Sequence, residues 1–271
     1  MDIVEIERSI IKKYRKEIWS PFIKAVKEFS LINEGDKVAV AISGGKDSLL
    51  LAKLIEELHK HSKVKFDVEY ICMDPGYDKE NRDQLEKNLA YLKIPATIYD
   101  SQVFEVAETI TKGNYPCYMC ARMRRGFLYA KAKELGCNKV ALGHHMNDVI
   151  ETTMMNVLYA GNFKTMKPKL VAQNFDDMEL IRPLYYAHED DIKRWRDYVG
   201  LVALNCACTV TKSSESYTRK KVKELISDLK KDNPDVEKSI LRSAENVNCD
   251  MVLGYQIGGE KHSFMEEFEW Y

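Results

Sequence analysis

Apolar positions at Ile3, Ile6, Ile10, Tyr14 and Ile18 recur every three or four residues. That spacing predicts an amphipathic helix over residues 3–30, interrupted near Pro21. From Lys37 the period changes. "KVAVAI" is a short, continuous apolar run, followed by a glycine loop and then by "DSLLLAKLIEELHKH", an amphipathic helix. Then come "FDVEYICM" (strand), "NRDQLEKNLAYLKI" (helix), "ATIYD" (strand) and "RRGFLYAKAKELG" (helix), and after them "KVALGHH" (strand), "DVIETTMMNVLYA" (helix) and "LIRPLYY" (strand). Strands alternating with long helices need crossover connections, hence a parallel sheet. Continuous apolar strands suit a sheet covered on both faces. The expected fold class is therefore α/β, an open, doubly wound parallel sheet with N- and C-terminal helices. The expected organisation is N-terminal helices over 1–30, the α/β domain over 31–211, and C-terminal helices with a tail over 212–271. "RKKVKELISDLKKD" and "DVEKSILRSAENV" are the two C-terminal helices, split at Asn233-Pro234, and "GEKHSFMEEFEWY" reads as an acidic, aromatic tail.

Composition narrows this picture. With 271 residues, 31% charged and 45% hydrophobic, the chain can bury a full core and is not a disordered one. Lys+Arg 41 against Asp+Glu 42 leaves a net charge of −1, without the overall basic excess that nucleic-acid binding usually shows. Local basic faces over 8–16 and 212–231 remain candidates. No apolar stretch reaches membrane-spanning length, and the charged N-terminus has no apolar signal-peptide core. The expected location is cytoplasmic, with no membrane association and with the seven cysteines reduced. Clustered thiols then point to metal or catalysis rather than disulfides.

"AISGGKDS" holds the first candidate chemistry. Ser43-Gly44-Gly45-Lys46-Asp47-Ser48 lies between a strand and a helix, and ligand crevices of doubly wound sheets open at that edge. The glycines let backbone approach an anion, and the helix start offers N–H groups at the positive end of a dipole. Lys46 and the serine hydroxyls add charge and donors. The spacing is not the Walker pattern. It resembles the pyrophosphate-binding loop of the N-type ATP pyrophosphatases, which split ATP between its α and β phosphates.

Cys117 and Cys120 in "NYPCYMCARMRRG" are spaced to reach one metal, and "ALNCACTV" supplies Cys206 and Cys208. Three readings stand. They are a four-cysteine structural zinc site, a redox disulfide between Cys117 and Cys120, and an iron–sulfur cluster held by three cysteines with one iron open. Cys72, Cys137 and Cys249 read as ordinary buried or half-buried residues. Arg122, Arg124 and Arg125 read as a solvated helix face or, beside thiolates and a phosphate loop, as polyanion ligands.

"SGGKDS", "CYMCARMRRG", "ALGHHMNDVIETTMMN" and "IRPLYYAHEDDI", in that order, resemble the tRNA 2-thiocytidine synthetase family over roughly residues 36–210. The resemblance implies ATP-dependent thiolation of a cytidine in the tRNA anticodon loop, through adenylation of its C2 oxygen. It implies that Ser43, Gly44, Gly45, Lys46, Asp47 and Ser48 hold the ATP phosphates with Mg2+, and that Met73 and Gly143 lie near the adenosine. It implies a [4Fe-4S] cluster on Cys117, Cys120 and a third cysteine. Counting on from Asp197 favours Cys206, with Cys208 as the alternative, although the family often shows P-C-x-x-C where this chain has C-A-C. Asp148, in G-H-H-x-x-D, becomes a catalytic or magnesium-organising carboxylate, or else a helix N-terminal acid complementing the dipole. Lys46 and Arg124 complete the catalytic set. Of His144 and His145, neighbours on a strand end, at most one is expected to face the site. The implied partners are tRNA, a sulfur donor (sulfide or a cysteine desulfurase) and a second copy in a homodimer. The alternatives are the same cluster chemistry on another thionucleobase or a tRNA uridine, a cluster-free adenylating ligase with structural zinc, and a non-catalytic nucleotide- or RNA-binding module.

Overall fold

The computed structural model describes residues 1–101, 103, 106, 109–110, 116–172, 175–204 and 214–268. Its centre is a six-stranded sheet in the order β3-β2-β1-β4-β6-β5. The strands are β1 (Lys37–Ile42), β2 (Asp67–Asp74), β3 (Thr97–Asp100), β4 (Lys139–Ala141), β5 (Lys169–Ala172) and β6 (Phe175–Ile181). β1 pairs in parallel with β2 on one side and β4 on the other. The chain thus winds outward in both directions from β1, and the crevice between the carboxyl ends of β1 and β4 is the natural ligand position.

Helices cover both faces, as the continuous apolar strands demand. The faces of β1 alternate: Val38, Val40 and Ile42 enter one buried cluster, while Ala39 and Ala41 enter the other. The first cluster takes in α3 (Lys46–His61), α4 (Lys79–Tyr91), α6 (Met146–Tyr159) and α7 (Glu189–Val199). The second packs α5 (Pro116–Glu134) against the sheet through Tyr129 and Ala132. The N-terminal helices join the first cluster through Ile6, Ile10, Ile18 and Phe22. The Trp195 indole donates to the Ser9 hydroxyl at 3.2 Å, and buried Lys53 of α3 pairs with Glu7 at 2.9 Å. α8 (Ser214–Asp232) and α9 (Val236–Ser243) close the same core with Val222, Ile226 and Leu241. Among the described residues no helix is long and apolar enough to cross a membrane.

The structure departs from the sequence pattern in five places. The sheet is mixed, because β5 is an antiparallel edge strand on β6; four residues, only one of them buried, carry too little pattern to be seen. "LIRPLYY" leaves the sheet at Ile181, where Tyr185 N–H bonds back to the Arg182 carbonyl at 3.1 Å and turns the chain. "KVALGHH" is strand only to Ala141. The N-terminal helical segment breaks at Tyr14, between two π-helical turns, and not near Pro21. Pro21 instead lies in the first turn of α2 (Ser20–Glu28), where its missing N–H costs nothing. The tail also holds a hairpin, β7 (Gly254–Ile257) and β8 (Glu260–Ser263), turned by Gly258-Gly259 with both φ positive.

Candidate active site at the carboxyl edge of the sheet

The loop after β1 is built by its small residues. Gly44 has φ +78°, and a Cβ there would lie 2.6 Å from the Leu204 side chain. Gly45 caps α3 without any side-chain bond to the first-turn amides, which leaves those donors for a ligand. The Ser48 hydroxyl closes the loop. It accepts from the Ser43 N–H at 3.1 Å and donates to the Gly45 carbonyl at 3.0 Å. Tyr77 donates to the Ser43 carbonyl from the next strand's exit at 3.2 Å.

Above this loop lies a cavity of about 330 Å³. Ser43, Asp47 and Ser48 form its floor, and Met73 enters from the end of β2. Ala121, Arg124, Arg125 and Leu128 of α5 form one wall; Leu142, Gly143, His144 and Asp148 form another. Most of the expected site residues therefore share one space. Gly143 is there for closeness: a Cβ would sit 3.0 Å from the backbone of Asp47 and of Ser48. Lys46 is not on the cavity wall. Its ammonium lies 3.1 Å from Asp47 and 3.4 Å from Glu189. Of the three arginines, Arg124 and Arg125 line the cavity, while Arg122 is exposed on the outer face of the helix.

The charges are arranged around two carboxylates. Asp47 Oδ1 is buried without a hydrogen-bond partner, 3.7 Å from His145 Nε2. Asp148 Oδ2 accepts the His145 N–H at 3.0 Å in a capping box at the start of α6, and Oδ1 accepts from Arg219 of α8 at 3.2 Å. Asp148 thus caps a helix and faces the cavity at once. His144 is the one of the histidine pair that lines the cavity. Its Nδ1 is sealed from solvent, and burial pushes its pKa down to about 4, against the pull of Asp148. It is therefore neutral at pH 7. Behind the wall, burial raises Glu151 to about 7 although Arg219 opposes it at 3.5 Å. Burial also lowers Arg182 to about 10.

Of the expected cluster cysteines, Cys120 is the one whose side chain lies within the described residues. Cys120 is half-buried on α5, one residue before Ala121 and one helical turn before Arg124. Cys117 is in the first turn of that helix, with its side chain outside the described residues. Cys206 and Cys208 also lie outside the described residues. The chain just before them is tied to the phosphate loop, because Leu204 N–H donates to the Gly44 carbonyl at 3.0 Å. Among the described residues no three His, Cys, Asp or Glu side chains form a metal group. Cys72 and Cys137 are buried, and burial lifts their thiols to about 12 and about 11, as suits inert core residues. Cys249 is exposed, against expectation, because its short helical turn lies outside the core.

Residues 16–229 match a family model described as the PP-loop domain. A tRNA-cytidine(32) 2-sulfurtransferase from Pelobacter propionicus is 38% identical over 237 residues, 87% of either chain. The chain belongs to that family of PP-loop proteins. Another member, from Coxiella burnetii, is 35% identical over 91% of this chain and 95% of its own. Among solved structures, the U34-tRNA thiolase NcsA from Methanococcus maripaludis, with its [4Fe-4S] cluster, superposes with a TM-score of 0.66 at 26% identity. That match covers 83% of this chain and 76% of the other. Within this PP-loop frame, Glu151, Arg182, Glu189 and Arg219 are the site neighbours that sequence reasoning passed over. Each looks like surface charge until packing sets it behind the cavity wall, beside Asp148, His144 or Lys46. Glu151, Arg182 and Glu189 fall within the quoted motifs "ALGHHMNDVIETTMMN" and "IRPLYYAHEDDI", whereas Arg219 lies outside them.

Proposed function

We propose that the protein is an ATP-dependent tRNA sulfurtransferase that replaces the C2 oxygen of an anticodon-loop cytidine with sulfur, giving 2-thiocytidine. The supporting observation is that one cavity is lined both by the phosphate loop and by the helix bearing Cys117 and Cys120. The α3 amides and the Ser43 and Ser48 hydroxyls receive the ATP phosphates, while Met73 and Leu142 offer apolar surface to the adenine. The cytidine C2 oxygen attacks the α-phosphorus; the bond from that phosphorus to the bridging oxygen breaks, and pyrophosphate leaves. Arg124, Arg125 and Lys46, once turned from Glu189, offset the charge that develops. The partnerless Asp47 oxygen and the Asp148 carboxylate are hard donors that suit Mg2+, which would neutralise phosphate charge. A sulfur nucleophile then adds to C2, the C2–O bond breaks and AMP departs. The half-buried Cys120 beside the cavity fits a thiolate ligand, and a [4Fe-4S] cluster on Cys117, Cys120 and Cys206 would supply an open iron for that sulfur. Neutral His144 offers a hydrogen bond to the base without adding charge. The sulfur donor is sulfide or a cysteine desulfurase, and the working unit a homodimer.

Mass spectrometry of tRNA nucleosides tests this. Cells lacking the protein lose 2-thiocytidine, and the wild-type chain restores it. Cys120→Ala fails to restore it while ATP binding persists. Anaerobically purified wild-type protein is brown and holds iron and labile sulfide; colourless zinc protein, or unchanged 2-thiocytidine in the deletion, rejects the proposal.

A further inference from the structure

The chain's near-zero net charge hides a one-sided surface. Residues 152–174 contain no Asp or Glu, in a sequence with 42 of them. Its first part is the outer turns of α6 and the loop that folds back along them, before the edge strand β5. Asn156 Nδ2 bonds to the Lys164 carbonyl at 2.8 Å, and the Thr153 and Thr165 hydroxyls meet at 2.9 Å. The loop continues to Lys167, whose carbonyl accepts from Arg182. α8 packs beside α6, with its Arg219 on Asp148 and Glu151. It opens Ser-Glu-Ser and from Tyr217 reads Tyr-Thr-Arg-Lys-Lys-Val-Lys. The Lys221 ammonium stands 4.5 Å over the Tyr217 ring. The hydroxyls of Tyr217 first, and of Tyr159 more weakly, hold its pKa above the ordinary lysine value. α6 and α8 thus pack side by side.

Three aromatic rings lie open on α6, on the loop after it and on α8: Tyr159 is 58% exposed, Phe163 51% and Tyr217 60%. Exposed Lys164 follows Phe163 in the loop, and exposed Lys220 and Lys221 follow Tyr217 on α8; of these, Lys220 reaches Glu224 only at 4.0 Å. We infer that this aromatic and lysine platform is the RNA-docking surface of the protein, holding the nucleotides that flank the base presented to the cavity. The inference rests on the tRNA reading above and gives that reading a place on the molecule. Rings interleaved with ammonium groups match single-stranded RNA, whose bases stack while its phosphates pair. A second copy fits less well, because a two-fold contact through this face would set the same lysines against one another. The placement also suits the cavity. Tyr159 lies eleven residues along α6 from Asp148, about 16 Å at the helical rise. An anticodon loop seated on the platform can therefore extend one splayed base to the phosphate loop.

Fluorescence anisotropy with an anticodon stem–loop RNA, titrated over a range of salt and without ATP, tests the assignment. In the triple variant Lys164→Gln, Lys220→Gln, Lys221→Gln, affinity falls at least about tenfold and the salt slope of log K drops by about 2. In the double variant Tyr159→Ala, Tyr217→Ala, affinity falls about tenfold or more with the slope unchanged. ATP binding and thermal midpoint stay at wild-type values in both, because the positions are exposed. Wild-type affinity and slope in both variants, with the wild-type protein binding RNA, overturns the platform and leaves the tRNA reading standing. So does a dimer-to-monomer change in sedimentation with RNA affinity intact, which would assign the face to a second copy. A wild-type protein that binds no such RNA overturns both readings.

Discussion

Single atoms decide much of this site. Glycine at 143 is required because a methyl group would press on the backbone of Asp47 and Ser48 at 3.0 Å. Gly143→Ala must shift the phosphate loop by a few tenths of an ångström. ATP affinity should fall on the order of tenfold in calorimetry, with the fold intact. Glu151 makes a pH prediction whose sign is fixed by burial. Its carboxyl ionises near 7 in the folded chain against 4.5 as a free side chain. Between those values the unfolded chain loses its proton first, so stability falls as pH rises, and the penalty is complete above pH 7. Glu151→Gln should therefore be more stable than wild type at pH 8, by about 1–2 kcal/mol after solvent screening, and equal to it near pH 4 in urea unfolding. His144 acts on the opposite limb. Its lowered value removes stability as pH falls from 6.5 towards 4.

Helix ends, more than helix bodies, organise the chemistry. The starts of α3, α6 and α7 converge at the carboxyl edge of the sheet, and each brings an acid in its first turn. Glu189 at the start of α7 is the junction. Burial opposes its ionisation, but bonds from Lys223 and Lys193 outweigh that and hold its carboxyl down at about 2. The same carboxylate holds Lys46. Lys46 is thus shared between the phosphate loop and the ion cluster that fastens α8. Lys46→Ala should lower the rate of ATP–pyrophosphate exchange by about 10²-fold while iron content is retained. Loss of iron in that variant would give Lys46 a folding role instead. The short, half-exposed strand β5 and the Gly-Gly hairpin of the tail show the other limit of element-level reading. Four residues carry too little periodicity to stand out from their flanks.

One buried cluster joins the N-terminal helices, the sheet and the C-terminal helices, so the site is stabilised from far away in sequence. Trp195 is fully buried there, against residues of the first helices. Trp195→Ala should cost about 3–5 kcal/mol in equilibrium unfolding with no change in the denaturant slope. The alternating strands and helices, the glycine loop and the paired cysteines were legible in the sequence because each is a local pattern of period, spacing or residue type. So were Ser43, Asp47, Ser48, Met73, Arg124 and Asp148 as neighbours, once the strand ends were known to share an edge. Tertiary structure alone decided that Lys46 faces Glu189, that Arg219 reaches Asp148 from the C-terminal helix, and that Glu151 is buried enough to hold its proton. It also left the Tyr159, Phe163 and Tyr217 rings exposed. These are contacts between residues up to 143 positions apart, set by how helices pack across a core, and no spacing along the chain encodes them.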